Sequence, residues 1–152
     1  MSDVKTQSKV NYCFNQGDVF EGENYVDMIN RVLHTAYKGW FKASVLLKDK
    51  GLENHMAWFV FINEETHGYL HWAWQNTIYQ DGTIVEKCVR DSDDKFKQDT
   101  TKYPKYRLVF QRDPDGDGSK YKCKFLGVCE RISVDDKEKS RTLKIIKDSI
   151  MW

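Results

Sequence analysis

The pattern of apolar residues predicts a single helix followed by about seven strands. Apolar residues recur at helical spacing from Val26 to Tyr37, between Asn24, which can cap a helix, and Gly39, which can end one. Seven strand-like segments follow: "WFKASVLLK", "MAWFVFI", "YLHWAWQNTIY", "TIVEKCV", "YRLVF", "YKCKFLGVCERISV" and "RTLKIIK". We therefore expect an α+β fold, in which a helix over residues 25–37 packs on the inner face of a strongly curved, mostly antiparallel sheet or small β-barrel.

The length of the chain indicates one domain. Its 152 residues can bury a core without help from a metal or a disulfide. We expect residues 1–10 to be a disordered N-terminus and residues 11–152 to form a single domain. No apolar run approaches the roughly 20 residues of a membrane span, and "MSDVKTQSKV" lacks the apolar core of a signal peptide. A cytoplasmic location without membrane contact is the expectation.

The cysteines do not form a metal or disulfide pattern. They stand at positions 13, 88, 123 and 129 with no Cys-x-x-Cys pair, and three lie inside strand-like runs. Buried free thiols fit this spacing better than a zinc site or a disulfide framework.

Two further patterns resemble metal sites and differ from them. "DPDGDG" has the aspartates and glycine of a calcium loop, but Lys124 stands where the bidentate glutamate belongs, so we expect a hairpin loop. His67 and His71 lie about 13 Å apart if they are on a strand, which is too far to share one ion. We expect no metal and no cofactor.

The sequence contains no recognisable catalytic signature. It has no nucleophile elbow, no phosphate-cradling glycine loop and no Cys-His spacing with a mechanistic reason. A binding protein is therefore favoured over an enzyme.

Charge is unevenly distributed along the chain. Residues 61–100 carry eight acidic and four basic side chains, whereas residues 101–152 carry thirteen basic and eight acidic ones. In the last hairpin, alternation places basic residues on one strand face and apolar residues on the other. This basic stripe is either a solvated outer face that prevents edge aggregation or a track for nucleic-acid phosphates. Its members are Lys105, Arg107, Lys120, Lys122 and Lys124.

Aromatic rings lie next to amide and carboxylate groups in "GYLHWAWQNTIYQDGT" and near it. Each tryptophan could be a wall of the core. Stacking rings beside polar groups are also what a pocket needs to hold a base extruded from a duplex. We expect at least one tryptophan to line such a pocket. The candidate base-binding residues are Trp40, Trp58, Trp72, Trp74, Asn76, Tyr79 and Asp81.

The order of elements, with "YRLVF" and then "YKCKFLGV" near the end, resembles the PUA-like group of small barrels, which includes the SRA, YTH and EVE domains. The similarity extends over most of residues 20–147, and the chain looks like the reader modules attached to modification-dependent restriction enzymes. The resemblance implies extrusion of a modified base into an aromatic cage.

The residues and the resemblance together predict a non-catalytic nucleic-acid reader. DNA is favoured over RNA, and a nuclease or motor subunit or fused domain is the expected partner. A protein-binding module, such as an immunity or anti-defence protein that uses the acidic 91–99 loop, is an alternative. A small-molecule-binding barrel or hydrolase is a third, with a pocket lined by His67, His71 and Glu86.

Overall fold

The computed structural model describes residues 11–39, 42–62, 74–88, 104–118 and 121–152, without the side chain of Trp74. These residues form one α-helix, one short 3-10 helix and ten strands. In chain order the elements are β1 Cys13–Asn15, β2 Val19–Glu21, α1 Tyr25–Leu33, β3 Ser44–Leu46, the 3-10 helix Lys48–Lys50, β4 His55–Val60, β5 Trp74–Ile78, β6 Thr83–Cys88, β7 Tyr106–Arg112, β8 Lys122–Asp135, β9 Ser140–Lys147 and β10 Ser149–Met151.

Helix α1 begins as predicted and ends earlier. The side-chain oxygen of Asn24 accepts from the Asp27 amide at 2.8 Å, which confirms the predicted cap. The predicted extension to residue 37 is wrong, because His34 adopts a left-handed conformation with φ of 55°. The Asn30 side chain then accepts from the backbone N–H of Tyr37 at 2.9 Å and so stabilises the turn away from the helix axis.

Most of the sheet follows the predicted pattern. All seven predicted strands are present as β3 to β9, and the expected hairpins β3/β4, β5/β6 and β7/β8 pair antiparallel. The strand order is β3-β4-β7-β8-β9-β6-β5, and β2 also pairs with β8. Strands β4 and β7 pair in parallel, while β1 and β10 form a separate two-stranded sheet. The mostly antiparallel α+β fold is thereby confirmed.

An ion pair shows that the sheet is strongly curved. Glu86 on β6 and Arg107 on β7 are separated in the strand order by β8 and β9. Three interstrand spacings would hold their backbones about 14 Å apart in a flat sheet. Their side chains nevertheless meet, with Arg107 Nη1 3.1 Å from Glu86 Oε1. The face that carries these two side chains is therefore concave.

A hydrogen bond joins two distant parts of the same sheet. Asn76 lies on the edge strand β5, and Phe61 directly follows β4, five positions away in the strand order. Asn76 Nδ2 donates to the Phe61 carbonyl at 3.2 Å. No backbone pairing closes the sheet within the described ranges, so the alternative of a small barrel is not confirmed.

Apolar side chains cover both faces of the central strands. On β4, Ala57 and Phe59 pack with the helix, whereas Met56, Trp58 and Val60 pack on the concave face. Burial on both faces explains the continuous apolar run of β4. Helix α1 buries Met28, Ile29, Val32 and Leu33 against the convex face. The helix packs on the sheet as expected, but the expectation of the inner face was wrong, because that face is filled by side chains of the strands themselves.

Three of the four cysteines are buried free thiols, as predicted. Cys88, Cys123 and Cys129 are buried, whereas Cys13 on the short strand β1 is exposed. Burial raises the pKa of Cys123 and of Cys129 to about 12.

The loop "DPDGDG" is the predicted hairpin loop between β7 and β8. The Asp113 side chain accepts from the Gly118 amide at 3.3 Å, and Asp115 forms an ion pair with Lys122 at 2.7 Å. Within the described residues, no group of three or more His, Cys, Asp or Glu side chains could hold a metal ion. No helix in the described part of the chain has the length and apolar character of a membrane span.

Candidate nucleic-acid interface

A buried charge cluster occupies the concave face of the sheet. Arg141 Nη1 and Arg107 Nη1 lie 2.6 Å and 3.1 Å from the same oxygen, Oε1 of Glu86. Both arginine side chains are 0% exposed and that of Glu86 is 5% exposed. The half-buried Arg131 belongs to the same region, since burial and the charges of Arg107 and Arg141 lower its pKa. The cluster connects β6, β7 and β9 across the curved sheet.

The prediction that Arg107 lies on an exposed basic stripe is therefore wrong. Strand alternation correctly predicts that Arg107 lies on the face of β7 opposite Leu108 and Phe110. That face, however, is the buried interior of the curved sheet and not the solvent-exposed side. Its guanidinium carbon lies 4.6 Å from the centre of the Trp58 ring, within cation–π distance. Arg107 is a buried structural residue in this fold.

Trp58 is likewise part of the core. Only 4% of its surface is exposed, and it packs in the concave-face cluster with Met56 and Val109. A base cannot stack on the Trp58 ring without displacing the residues that cover it.

Glu86 does not suit the alternative of a hydrolase pocket, because its carboxylate contacts two buried arginines.

Asn76 is the predicted base-binding residue with the most informative surroundings. It lies opposite Glu86 in the β5–β6 register, and Glu86 lies opposite Arg141, so the three residues form a row across the concave face. Asn76 is 7% exposed. Its Nδ2 donates to the Phe61 carbonyl, whereas no donor in the described part of the protein reaches its Oδ1. Asn76 Oδ1 is therefore a buried acceptor without a hydrogen-bond partner among the described residues.

The other two described candidates lie at the tip of the β5–β6 hairpin. Tyr79 is 55% exposed. The Asp81 carboxylate accepts from the Thr83 amide at 3.0 Å, and hydrogen bonds from Thr83 together with the Lys144 charge lower its pKa. Tyr79 lies three residues beyond Asn76, about 10 Å along the strand direction. The structure thus separates these two residues from the Asn76 amide.

The described lysines of the basic stripe, Lys105, Lys122 and Lys124, lie at the two ends of the β7–β8 hairpin. Lys122 and Lys124 flank the buried Cys123 and point to the opposite side of β8, as predicted. The Asp115 carboxylate hydrogen-bonds to Lys122 and raises its pKa. Lys105, at the other end of the hairpin, lies 3.7 Å from Glu130. The two ends are about 25 Å apart at the usual rise of a strand.

Several predicted site residues lie outside the described residues. They are Trp40, Trp72, Lys120, His67, His71 and the acidic segment 91–99, together with the side chain of Trp74. The expectation that a tryptophan lines an open pocket therefore remains a prediction. Arg141 was missed by sequence reasoning, because an arginine in an alternating strand is usually exposed.

The fold and the concave polar face define a class. In the described part of the chain, an early helix packs on a strongly curved, mostly antiparallel sheet, which agrees with the element order of the predicted PUA-like resemblance. A family model for the SET and RING associated domain, SRA, matches residues 15–151. The chain belongs to the SRA domain family. The predicted resemblance is confirmed, and with it the prediction of a DNA-binding domain that reads modified bases.

The solved structures that are similar to the chain include two from restriction enzymes. "The 5-Hydroxymethylcytosine-Specific Restriction Enzyme AbaSI" superposes with a TM-score of 0.67 at 23% identity, covering 91% of this chain and 42% of that one. This chain therefore spans less than half of AbaSI, and the likeness shows a shared fold. The "DNA recognition domain of the cytosine modification-dependent restriction endonuclease LpnPI" gives a TM-score of 0.44 at 14% identity, covering 91% and 74%. Comparison with curated proteins finds no match.

Proposed function

We propose that this SRA domain extrudes a modified cytosine from DNA and reads its edge with the Asn76 amide. The observation that carries this proposal is the asymmetry of that amide. Its Nδ2 is engaged by the Phe61 carbonyl, while its Oδ1 has no partner among the described residues. A buried acceptor without a donor costs about 1 to 3 kcal/mol, which a ligand N–H would offset.

Cytosine supplies the complementary group. Its exocyclic N4 amino group is a hydrogen-bond donor, whereas thymine and uracil carry the acceptor O4 at the same place. An acceptor fixed at Asn76 Oδ1 therefore selects cytosine over uracil. We propose a 5-hydroxymethyl substituent as the modification to test first, by analogy with AbaSI, whose name describes it as specific for 5-hydroxymethylcytosine.

The remaining contacts are proposed for other aromatic, acidic and basic residues of the chain. We propose Trp40, Trp72 and Trp74 as the stacking residues, with Tyr79 and Asp81 contacting nucleotides near the extruded base. Lys105, Lys120, Lys122 and Lys124 are proposed phosphate contacts, since lysines on a rigid sheet position a DNA backbone without reading its sequence. We also propose that the bond from Asn76 to Phe61 closes a small barrel.

A nuclease is the proposed partner. A reader domain has no chemistry of its own to apply to the base, and the chain corresponds to only 42% of the length of AbaSI. We propose that a nuclease domain or subunit acts on DNA that this domain has bound.

The test is a binding series on short duplexes with one central target base. Cytosine, 5-methylcytosine, 5-hydroxymethylcytosine and 5-hydroxymethyluracil are compared, each paired with its own complement, by fluorescence anisotropy. We define base preference as the affinity for the 5-hydroxymethylcytosine duplex divided by that for the 5-hydroxymethyluracil duplex. The proposal predicts a preference of about fivefold or more, because one well-placed base contact is worth about 1 to 3 kcal/mol.

Matched variants on β5 test the role of the amide. Asn76→Leu should reduce base preference by about threefold to tenfold, the value of one hydrogen bond. Gln75→Leu changes the neighbouring exposed amide and should leave base preference unchanged. If Asn76→Leu keeps the base preference of the unaltered protein, Asn76 does not contact the base. If the unaltered protein binds all four duplexes with equal affinity, the domain does not read the modification.

A further inference from the structure

Arg112 lies between two aromatic rings at the end of β7. Its guanidinium carbon is 4.1 Å from the centre of the Phe61 ring and 5.0 Å from the centre of the Tyr25 ring. Both distances are within the range of cation–π contacts. The residue therefore connects the first turn of helix α1 to the segment that follows β4.

Phe61 belongs to this stack and also contacts Asn76. Its ring packs on Arg112, and its carbonyl accepts from Asn76 Nδ2 at 3.2 Å. The ring and the carbonyl belong to the same residue, so a stack that anchors the ring also restricts backbone motion at the carbonyl. Asn76 is thus two contacts away from Arg112.

We infer that Arg112 is a positioning residue that sets the orientation of the Asn76 amide and thereby the choice of base. The inference rests on the proposed function and deepens it. When Phe61 is fixed by the Arg112 stack, its carbonyl selects the amide orientation that turns Nδ2 toward it and Oδ1 toward the ligand. When Phe61 is released, the amide can rotate by 180° and offer a donor, which fits O4 of uracil.

The substitution Arg112→Met tests the inference, because it keeps a side chain of similar length and removes the planar cation. Base preference should fall by about threefold to tenfold, mainly through tighter binding of the uracil duplex. The dependence of affinity on salt should not change. Arg31→Met is the matched control, since Arg31 lies on the exposed side of α1 and pairs with Asp27 at 3.0 Å. This control should retain full base preference.

A phosphate contact would behave differently. If Arg112 contacted a phosphate, Arg112→Met would weaken both duplexes equally and lower the slope of log affinity against log salt by about 0.9. That result would overturn the inference. If Arg112→Met fails to fold in a thermal melt, Phe61→Leu decides instead, because leucine removes the ring on which Arg112 stacks and keeps the Phe61 carbonyl. Full base preference in Phe61→Leu would also overturn it.

A double-mutant cycle separates this inference from the proposed function. In an Asn76→Leu background, Arg112→Met should cause no further loss of base preference, because both substitutions act through the same amide. If the losses of base preference from Arg112→Met and Asn76→Leu add in the double variant, Arg112 does not act through the Asn76 amide. If Asn76→Leu alone has no effect, the proposed function fails first. If Asn76→Leu acts and Arg112→Met does not, only the positioning role fails.

Discussion

The Arg107 guanidinium lies 3.1 Å from the Glu86 carboxylate although two strands lie between their backbones in the sheet. Arg141 contacts the same carboxylate oxygen at 2.6 Å. The contact between Arg107 and Glu86 shows that the sheet is strongly curved. This curvature brings charged side chains from distant strands together, so that they neutralise one another on the concave face. A single carboxylate joins three strands there.

Removing the Glu86 charge should strongly destabilise the fold. Glu86→Gln leaves two buried arginines without this carboxylate, and breaking a buried pair in this way costs about 3 to 5 kcal/mol. The free energy of unfolding is measured by urea denaturation. Glu138→Gln is the control, because its 3.8 Å pair with Lys87 is exposed and such pairs contribute at most about 1 kcal/mol. Similar losses in both variants would contradict a structural role for the cluster.

The stripe formed by Lys122 and Lys124 should contribute to DNA affinity without base selectivity. Lys122→Gln should lower the slope of log affinity against log salt by about 0.9, the value of one phosphate contact on duplex DNA. Base preference should stay unchanged. Lys137→Gln, in the turn between β8 and β9, is the matched control and should leave the slope unaltered. If Lys122→Gln leaves the slope of log affinity against log salt unaltered, Lys122 faces solvent and does not contact a DNA phosphate.

One thiol of the native protein should react rapidly with a thiol reagent. Cys13 is exposed, whereas Cys88, Cys123 and Cys129 are buried. Burial also raises the pKa of Cys123 and Cys129 to about 12, so their reactive thiolate form is scarce at neutral pH. Labelling followed by mass spectrometry should find one modified site, none in Cys13→Ser, and four after unfolding. Rapid labelling of Cys129 in the native protein would contradict the packing described.

Stability should fall as pH rises above about 8.5, the usual pKa of a thiol in an unfolded chain. Above that pH the unfolded chain loses thiol protons, whereas the folded protein keeps those of Cys123 and Cys129 up to about pH 12. The folded state then binds more protons, so the free energy of unfolding decreases with pH, by up to about 1.4 kcal/mol per unit for each thiol. Urea titrations at several pH values from 7 to 10 measure this decrease in the free energy of unfolding. Cys129→Ala should show a shallower decline, and a flat profile in the unaltered protein would contradict the prediction.

Local sequence signals predicted most of the fold. Seven strands, the Asn24 cap and the Asp81-Gly82 turn all depend on residues close together in the chain. The strands β1, β2 and β10 have three residues each, too few for a periodic pattern to emerge. Their pairing also depends on distant partners, as between Phe14 and Ile150.

The candidate site was predictable only in part. Asn76 was found from its place beside aromatic residues, but its bond to Phe61 depends on curvature that brings distant strands together. Arg107 was misplaced for the same reason, because alternation gives a face of a strand and not which face becomes the interior. Glu86, its partner, is 21 positions earlier in the sequence. Contacts that depend on the curvature of the sheet join residues far apart in the sequence, so no local sequence pattern predicts them.

The most direct test of base reading is the fluorescence of 2-aminopurine placed next to the target cytosine in a duplex. The fluorescence of this base is quenched by stacking and rises when its neighbour is extruded. On addition of the protein, we predict a large increase with a 5-hydroxymethylcytosine target and little change with unmodified cytosine at the same fractional saturation. Tight binding of the modified duplex with unchanged fluorescence would contradict base extrusion, and with it the account of this domain as a reader of extruded bases.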